Sequence, residues 1–244
     1  MIDSLELIRR AQIIQDSGPI YNEFNADAVV LEPWNAYSSL IFFVPVIFWI
    51  FRLRGEYSQH GIILALLPFL FLNGLGSTLF HAFRAHNAWL FLDFMPASFM
   101  SIILSTYFWT KLVNKWYWGL LVVIGFYVVA IFSINGLTQI EGMEEMAPNI
   151  GYFFVGCSIF FPILVYLKRL RWKYTYLVLL SILFLGLALL CRTLDYPTPN
   201  PFPEALPQGT HFLWHVFSSF AVFTMGYFVY NTKKLDLARR DSIR

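Results

Sequence analysis

The sequence predicts an all-α polytopic membrane protein, a bundle of seven transmembrane helices, on three observations. Of its 244 residues, 58% are apolar and only 13% charged, whereas a soluble globular domain holds about 45–50% and roughly 25%. Apolar stretches near the roughly 20-residue length of a membrane span recur along the whole chain. No period-two alternation supports a β-barrel. A single core cannot hide that apolar surplus from water, which excludes a soluble enzyme, a nucleic-acid-binding domain and a disordered chain.

Residues 1–33 form an acidic segment ahead of the first span. Asp3 and Glu6 have capping-box spacing, and Leu5, Ile8 and Ile13 predict a short amphipathic helix lying on the membrane surface. The segment lacks the charged-then-apolar pattern of a cleavable signal. Seven apolar windows follow, at about 34–51, 61–82, 88–109, 117–134, 149–167, 174–191 and 211–230. They make a transmembrane domain over 34–230. Pro45, Pro68, Pro96 and Pro162 fall inside spans, where neighbouring helices can satisfy the freed backbone groups. Between the sixth and seventh windows, Asp195–Pro207 holds five prolines in thirteen residues and predicts a stiff, extended connection. Residues 231–244 are a basic tail that reads as a stop-transfer flank or as a contact with anionic lipid headgroups. Cys157 and Cys191 lie in apolar stretches without CxxC spacing, so neither a disulfide framework nor a thiolate metal site is expected.

Charge sets the expected orientation. The 51–60, 110–116 and 168–173 loops and the tail together carry thirteen of the seventeen Lys and Arg residues. The other side carries only Arg9, Arg10, Arg84 and Arg192. The positive-inside rule therefore places the N-terminus outside (periplasm, lumen or exterior) and the tail in the cytoplasm.

Ionisable groups inside spans are costly and mark functional sites by default. His81 ends the second window, Asp93 lies about one and a half turns into the third, and His211 and His215 begin the seventh. The HxxxH spacing puts both imidazoles on one helix face, and Ser77 lies one turn from His81 on the same face. With the alternating directions of the spans, Ser77, Asp93 and His215 fall at one depth, roughly 6–8 Å below the outer boundary at about 1.5 Å per residue. Three imidazoles from two helices suit zinc, which at catalytic sites takes three protein ligands plus water. Asp93 then orients or deprotonates that water, or is itself a fourth ligand, and Ser77 hydrogen-bonds the water or an oxyanion. The bland alternatives are interfacial histidines, small-residue helix packing around Gly74 and Gly76, and an Asp93 bonded to backbone or to Arg192. Arg192 itself reads as a snorkelling side chain or as a compensating charge near the site.

In these motifs the chain resembles the alkaline ceramidase family, part of a superfamily of seven-span hydrolases that includes the adiponectin receptors and Per1-type lipid-remodelling proteins. The resemblance is carried by Glu32-Pro-Trp-Asn35 with Ser38 and Ser39, by GLGSTLFH ending at His81, by Asp93-Phe-Met-Pro, and by HFLWHVFS from His211 to Ser218. It runs from about Tyr21 to Tyr230. The resemblance implies that His81, His211 and His215 bind Zn²⁺ and that Ser77 and Asp93 are catalytic, positioning or activating a water. It also implies a Ca²⁺ site formed by Tyr21, Glu23, Asn25 and Glu32, whose hard oxygen ligands suit that ion. Here the match departs from the family: Ile20 stands where the family carries an acid, and Asp16 is the nearest substitute.

The expected activity is a zinc-dependent intramembrane hydrolase of linear amide bonds, cleaving ceramide to a sphingoid base and a free fatty acid at the extracytoplasmic leaflet. The expected partners are the lipid substrate and the bilayer, with no nucleic acid. Two other readings stay open at this point: hydrolysis of a different lipid amide or ester, as in the Per1-like branch, and a seven-span receptor with a structural zinc.

Overall fold

A computed structural model describes residues 14–144, 147–196 and 200–241. The expected surface helix around Leu5, Ile8 and Ile13, with Asp3 and Glu6, lies outside these residues, as does Arg244. Among the described residues every regular element is helical, and seven helices are long and apolar enough to cross a membrane. We number them α1 (Pro33–Arg52), α2 (Gly61–Phe83), α3 (Asn87–Val113), α4 (Trp116–Leu137), α5 (Ala147–Arg169), α6 (Thr175–Thr193) and α7 (His211–Asp241). Each of the seven expected windows has become one helix. The last is longer than hydropathy alone indicates: α7 continues to Asp241, so most of the basic tail extends the helix rather than leaving it. A helix can run on past its apolar stretch because its backbone bonds are internal and Lys and Arg are good helix formers.

The helices start and stop for local reasons. Pro33 opens α1 at a position where a missing N–H costs nothing. A tightened 3₁₀ turn at Leu40–Phe42 interrupts α1, and Pro45 follows just beyond it. The α2 helix ends on Arg84, whose φ of 49° is left-handed, a conformation that usually falls to glycine.

The chain divides into two compact units. The first comprises the residues up to Ala97 together with Tyr176 onward. Its core is aromatic at one end, where Trp49 packs among Phe48, Phe223, Tyr227 and Tyr230. Gly226 is required there, since a Cβ would stand 2.8 Å from the Trp49 indole nitrogen. At the same end His60 is buried, stacks on Tyr230 and pairs with Glu56 at 3.2 Å. The second unit, Ser98–Thr175, holds the rest of α3 with α4 and α5. Phe108, Val123, Ile163 and Leu167 form its fully buried interior. The Ser158 carbonyl accepts bonds from Ser105 Oγ and Trp109 Nε1, tying α3 to α5.

The connection before α7 differs from the expected extended strut. Its described part folds into turns: Leu206 N–H donates to Phe202 O at 2.7 Å, and the Asn200 side chain closes on Leu206 O at 2.6 Å. Proline presets φ for turns as readily as for extended chain, and the Asn200 amide decides between them.

Candidate metal centre

Three buried imidazoles meet in the first unit. His81 comes from the last turns of α2, and His211 and His215 from the first turns of α7. Each is 3% exposed or less, and their ligand atoms all lie within 4.8 Å of one another. Among the described residues this is the one group of three or more His, Cys, Asp or Glu side chains that converges in this way.

The ring nitrogens show how the site is built. His81 Nδ1 faces Glu32 Oε2 at 2.5 Å, while its Nε2 is buried without a protein partner. His211 Nδ1 is likewise buried and unpartnered. His215 Nδ1 is held by Ser38 Oγ at 2.8 Å, and its Nε2 stands 3.4 Å from Ser77 Oγ. A buried polar atom left unsatisfied costs about 1–3 kcal/mol. Two such nitrogens among three converging imidazoles are what an electrophilic metal would relieve, and all-nitrogen donors suit zinc, copper, iron or nickel. The residues therefore fit a bound transition metal ion.

Ser77 and Asp93 join the histidines. Ser77 is fully buried, accepts from Ser39 Oγ at 2.9 Å and hydrogen-bonds the Asp93 carboxylate. Two neighbouring residues of α2 bring Asp93 there. A Cβ at Gly76 would collide with the backbone of Leu92 and Asp93, so only glycine lets α2 and α3 touch at this level. One turn away, the Asn73 side chain donates to the Asp93 carbonyl. Arg192 is buried, and its charge acts on both Asp93 and His211.

The expected calcium residues are dispersed over different tasks. The Glu23 carboxylate accepts the backbone N–H groups of Trp34 (2.7 Å) and Asn35 (2.6 Å), capping the start of α1. Burial pushes this carboxyl up to about 7, against the pull of those two donors. Asn25 Oδ1 takes the N–H of Asp27 in a local turn. Tyr21 stacks on His211, with ring centroids 3.7 Å apart. Glu32, 0% exposed, divides its oxygens between His81 and Arg84, and burial pushes it too up to about 7 while Arg84 opposes the shift. The carboxylates of Glu23 and Glu32 are thus engaged by backbone N–H groups, His81 and Arg84.

Further residues support the site in ways that local sequence does not show. Asp195, placed in the proline-rich loop, sends its carboxylate onto the N–H groups of Thr210 (2.8 Å) and His211 (2.7 Å), capping α7 at its first metal-site residue. It also holds Asn22 of the N-terminal segment. Gly209, at φ +81°, has no room for a Cβ beside that carboxylate. Ser38 and Ser39 were visible as motif members, and their contact with His215 gives them a task. Arg84 was counted only as a charge on the outer side; its position three residues after His81 was the available signal.

The N-terminal segment lies over this end of the unit. Leu31 and Glu32 donate their N–H groups to the carbonyls of Ala82 and His81, and Gln15 donates to Arg84. Comparison with protein-family models and with curated proteins found no match.

Proposed function

We propose that the protein is a metal-dependent lipid hydrolase, and specifically an amidase that cleaves ceramide into a sphingoid base and a fatty acid. One observation carries the reading: three converging buried imidazoles, two with unpartnered nitrogens, stand against a hydrogen-bonded Ser77–Asp93 pair. The resemblance to alkaline ceramidases supports the substrate class, and the thirteen-to-four asymmetry of basic residues supports an outside N-terminus and an extracytoplasmic site.

The chemistry a zinc ion supplies in such a site is Lewis acidity and a water acidified to a pKa of about 7. The chain's own groups do the rest. His81, His211 and His215 would hold the ion, and Glu32 would keep the His81 proton on Nδ1 so that Nε2 offers its lone pair. Asp93 takes a proton as the water attacks the amide carbonyl and returns it to the departing amine nitrogen. Once Asp93 carries that proton it no longer needs the Ser77 hydroxyl hydrogen, which is then free to turn to the carbonyl oxygen as negative charge grows there. Tyr21 and the overlying N-terminal segment cover the histidines, which favours an approach of substrate from the lipid side. A ceramide amide held just below the headgroups meets that requirement without leaving the leaflet.

The test is fatty-acid release by detergent-purified protein, run as isolated, stripped of metal and restored with zinc. Assays on ceramide, N-acylethanolamine and phospholipid run together separate an amidase from an esterase. Release from ceramide that disappears on stripping and returns with zinc is expected. Release from phospholipid alone would assign the centre to another lipid ester, and none from any lipid by folded, zinc-loaded protein would leave the receptor reading.

A further inference from the structure

The least expected charge in the first unit is Arg84. It is 0% exposed, and its side chain is met by oxygens on every edge. Nε and Nη2 bind the two oxygens of Asp16 at 2.8 and 2.7 Å. Nη1 reaches Glu32 Oε1 at 2.6 Å and the Pro19 carbonyl at 2.9 Å, and Nη2 reaches the Gly18 carbonyl at 3.1 Å. A guanidinium has five N–H donors, and these bonds use all of them. The remaining face lies over the Phe80 ring, 4.5 Å from its centroid. Gly18 also lies close to that ring: a Cβ there would stand 2.6 Å from Phe80. The backbone of Arg84 is left-handed at φ 49°, a strained choice for a side chain with a Cβ that persists only when the surroundings over-determine it.

We propose that Arg84 is the resident cation of this oxygen nest and a positioning residue for the metal centre. It fixes Glu32 through Oε1, so that Oε2 is held on His81 Nδ1 and His81 Nε2 is turned toward His211 and His215. The inference rests on the reading of the three histidines as a metal site, and it does not depend on which lipid is cleaved. A carboxylate that pins a ligating imidazole fixes its tautomer and raises its basicity, and loss of such a partner typically costs about 10–100-fold in metal affinity. Arg84 also ties Asp16, and so the N-terminal segment, to the residue that follows α2. The hard-oxygen donors that would suit a divalent cation are thereby satisfied by the chain itself.

The experiment uses the full-length protein in detergent and measures zinc affinity by chelator competition, together with the visible spectrum of the cobalt-substituted site. Wild type, Arg84→Ala, Arg84→Lys and Asp16→Asn are compared, with and without millimolar calcium. We expect zinc binding to weaken about 10–100-fold in Arg84→Ala, with an altered cobalt spectrum. Arg84→Lys keeps the charge without the fork and falls between. Wild type shows no change in zinc affinity or melting temperature with calcium. A folded Arg84→Ala protein with zinc affinity and cobalt spectrum like those of wild type overturns the inference, as does calcium-dependent stabilisation of wild type. If Arg84→Ala does not fold, Asp16→Asn decides: its loosened grip on the guanidinium must weaken zinc several-fold, and unchanged affinity refutes the positioning role. Wild-type protein that takes up neither zinc nor cobalt would remove the metal centre itself, a different failure read directly from the first titration.

Discussion

The clearest division of labour among single residues lies between Ser77 and Asp93. Both are held by several bonds before any substrate arrives, Ser77 between Ser39 and Asp93, and Asp93 by Ser77 and by Asn73 through its carbonyl. Asp93→Asn keeps the shape and loses the proton acceptor. The expected result is a fall in kcat of about 10²–10⁴-fold, with zinc content unchanged by metal analysis. Ser77→Ala removes a donor to the developing oxyanion, and a loss of about 10²–10³-fold in kcat is expected. If Asp93→Asn instead loses zinc, Asp93 is a fourth ligand, the alternative the sequence left open.

At the scale of elements, the site depends on how closely α2 and α3 approach. Gly76 faces the backbone of Leu92 and Asp93 with no space for a methyl group. Gly76→Ala must push the helices apart at the level of Ser77 and Asp93, at a cost of about 1–3 kcal/mol. The measurable consequence is a lower melting temperature together with a loss of activity larger than stability alone explains. Gly125 offers a control, because a Cβ there meets nothing within 4 Å. Gly125→Ala on the α4 helix should leave activity intact, since alanine is the better helix former by about 1 kcal/mol. Helix spacing of this kind was partly legible beforehand. The HxxxH and SxxxH spacings place side chains on one face by geometry alone, and the span directions bring three helix ends to one level. What the spacing does not show is contact: nothing local distinguishes Gly76 from Gly74, and only the partner backbone of α3 makes one of them indispensable.

For the whole molecule, hydropathy was sufficient for the seven helices, because a span is a local property of about twenty residues. Partners distant in sequence were not legible. Asp195 sits fifteen and sixteen residues before the N–H groups it caps, and Glu32 lies 49 residues from His81. An acidic segment ahead of a first span reads equally as a cation site or as a solvated flank, and neither shows the guanidinium that stands among the carboxylates. Orientation remains a statement about charge, and it is open to direct measurement. Single cysteines introduced at Ser58 and Ala205, in a variant with Cys157 and Cys191 replaced, should react with a membrane-impermeant maleimide from opposite faces of the bilayer. The outside N-terminus predicts that, in membrane vesicles of known sidedness, Ala205→Cys labels from the extracytoplasmic face and Ser58→Cys from the cytoplasmic face. The reverse pattern would place the histidines at the cytoplasmic leaflet.

The chain positions of the three imidazoles have a consequence for biosynthesis. His81 belongs to the second helix to emerge, whereas His211 and His215 begin the seventh. Until that last helix inserts, only one of the three converging imidazoles is in place. With α7 in place, the Asp195 carboxylate caps its start and Tyr21 stacks on His211. On the proposed reading, the complete three-histidine site would form only once α7 is in place, and a chain stalled before it would carry His81 alone of the three proposed ligands.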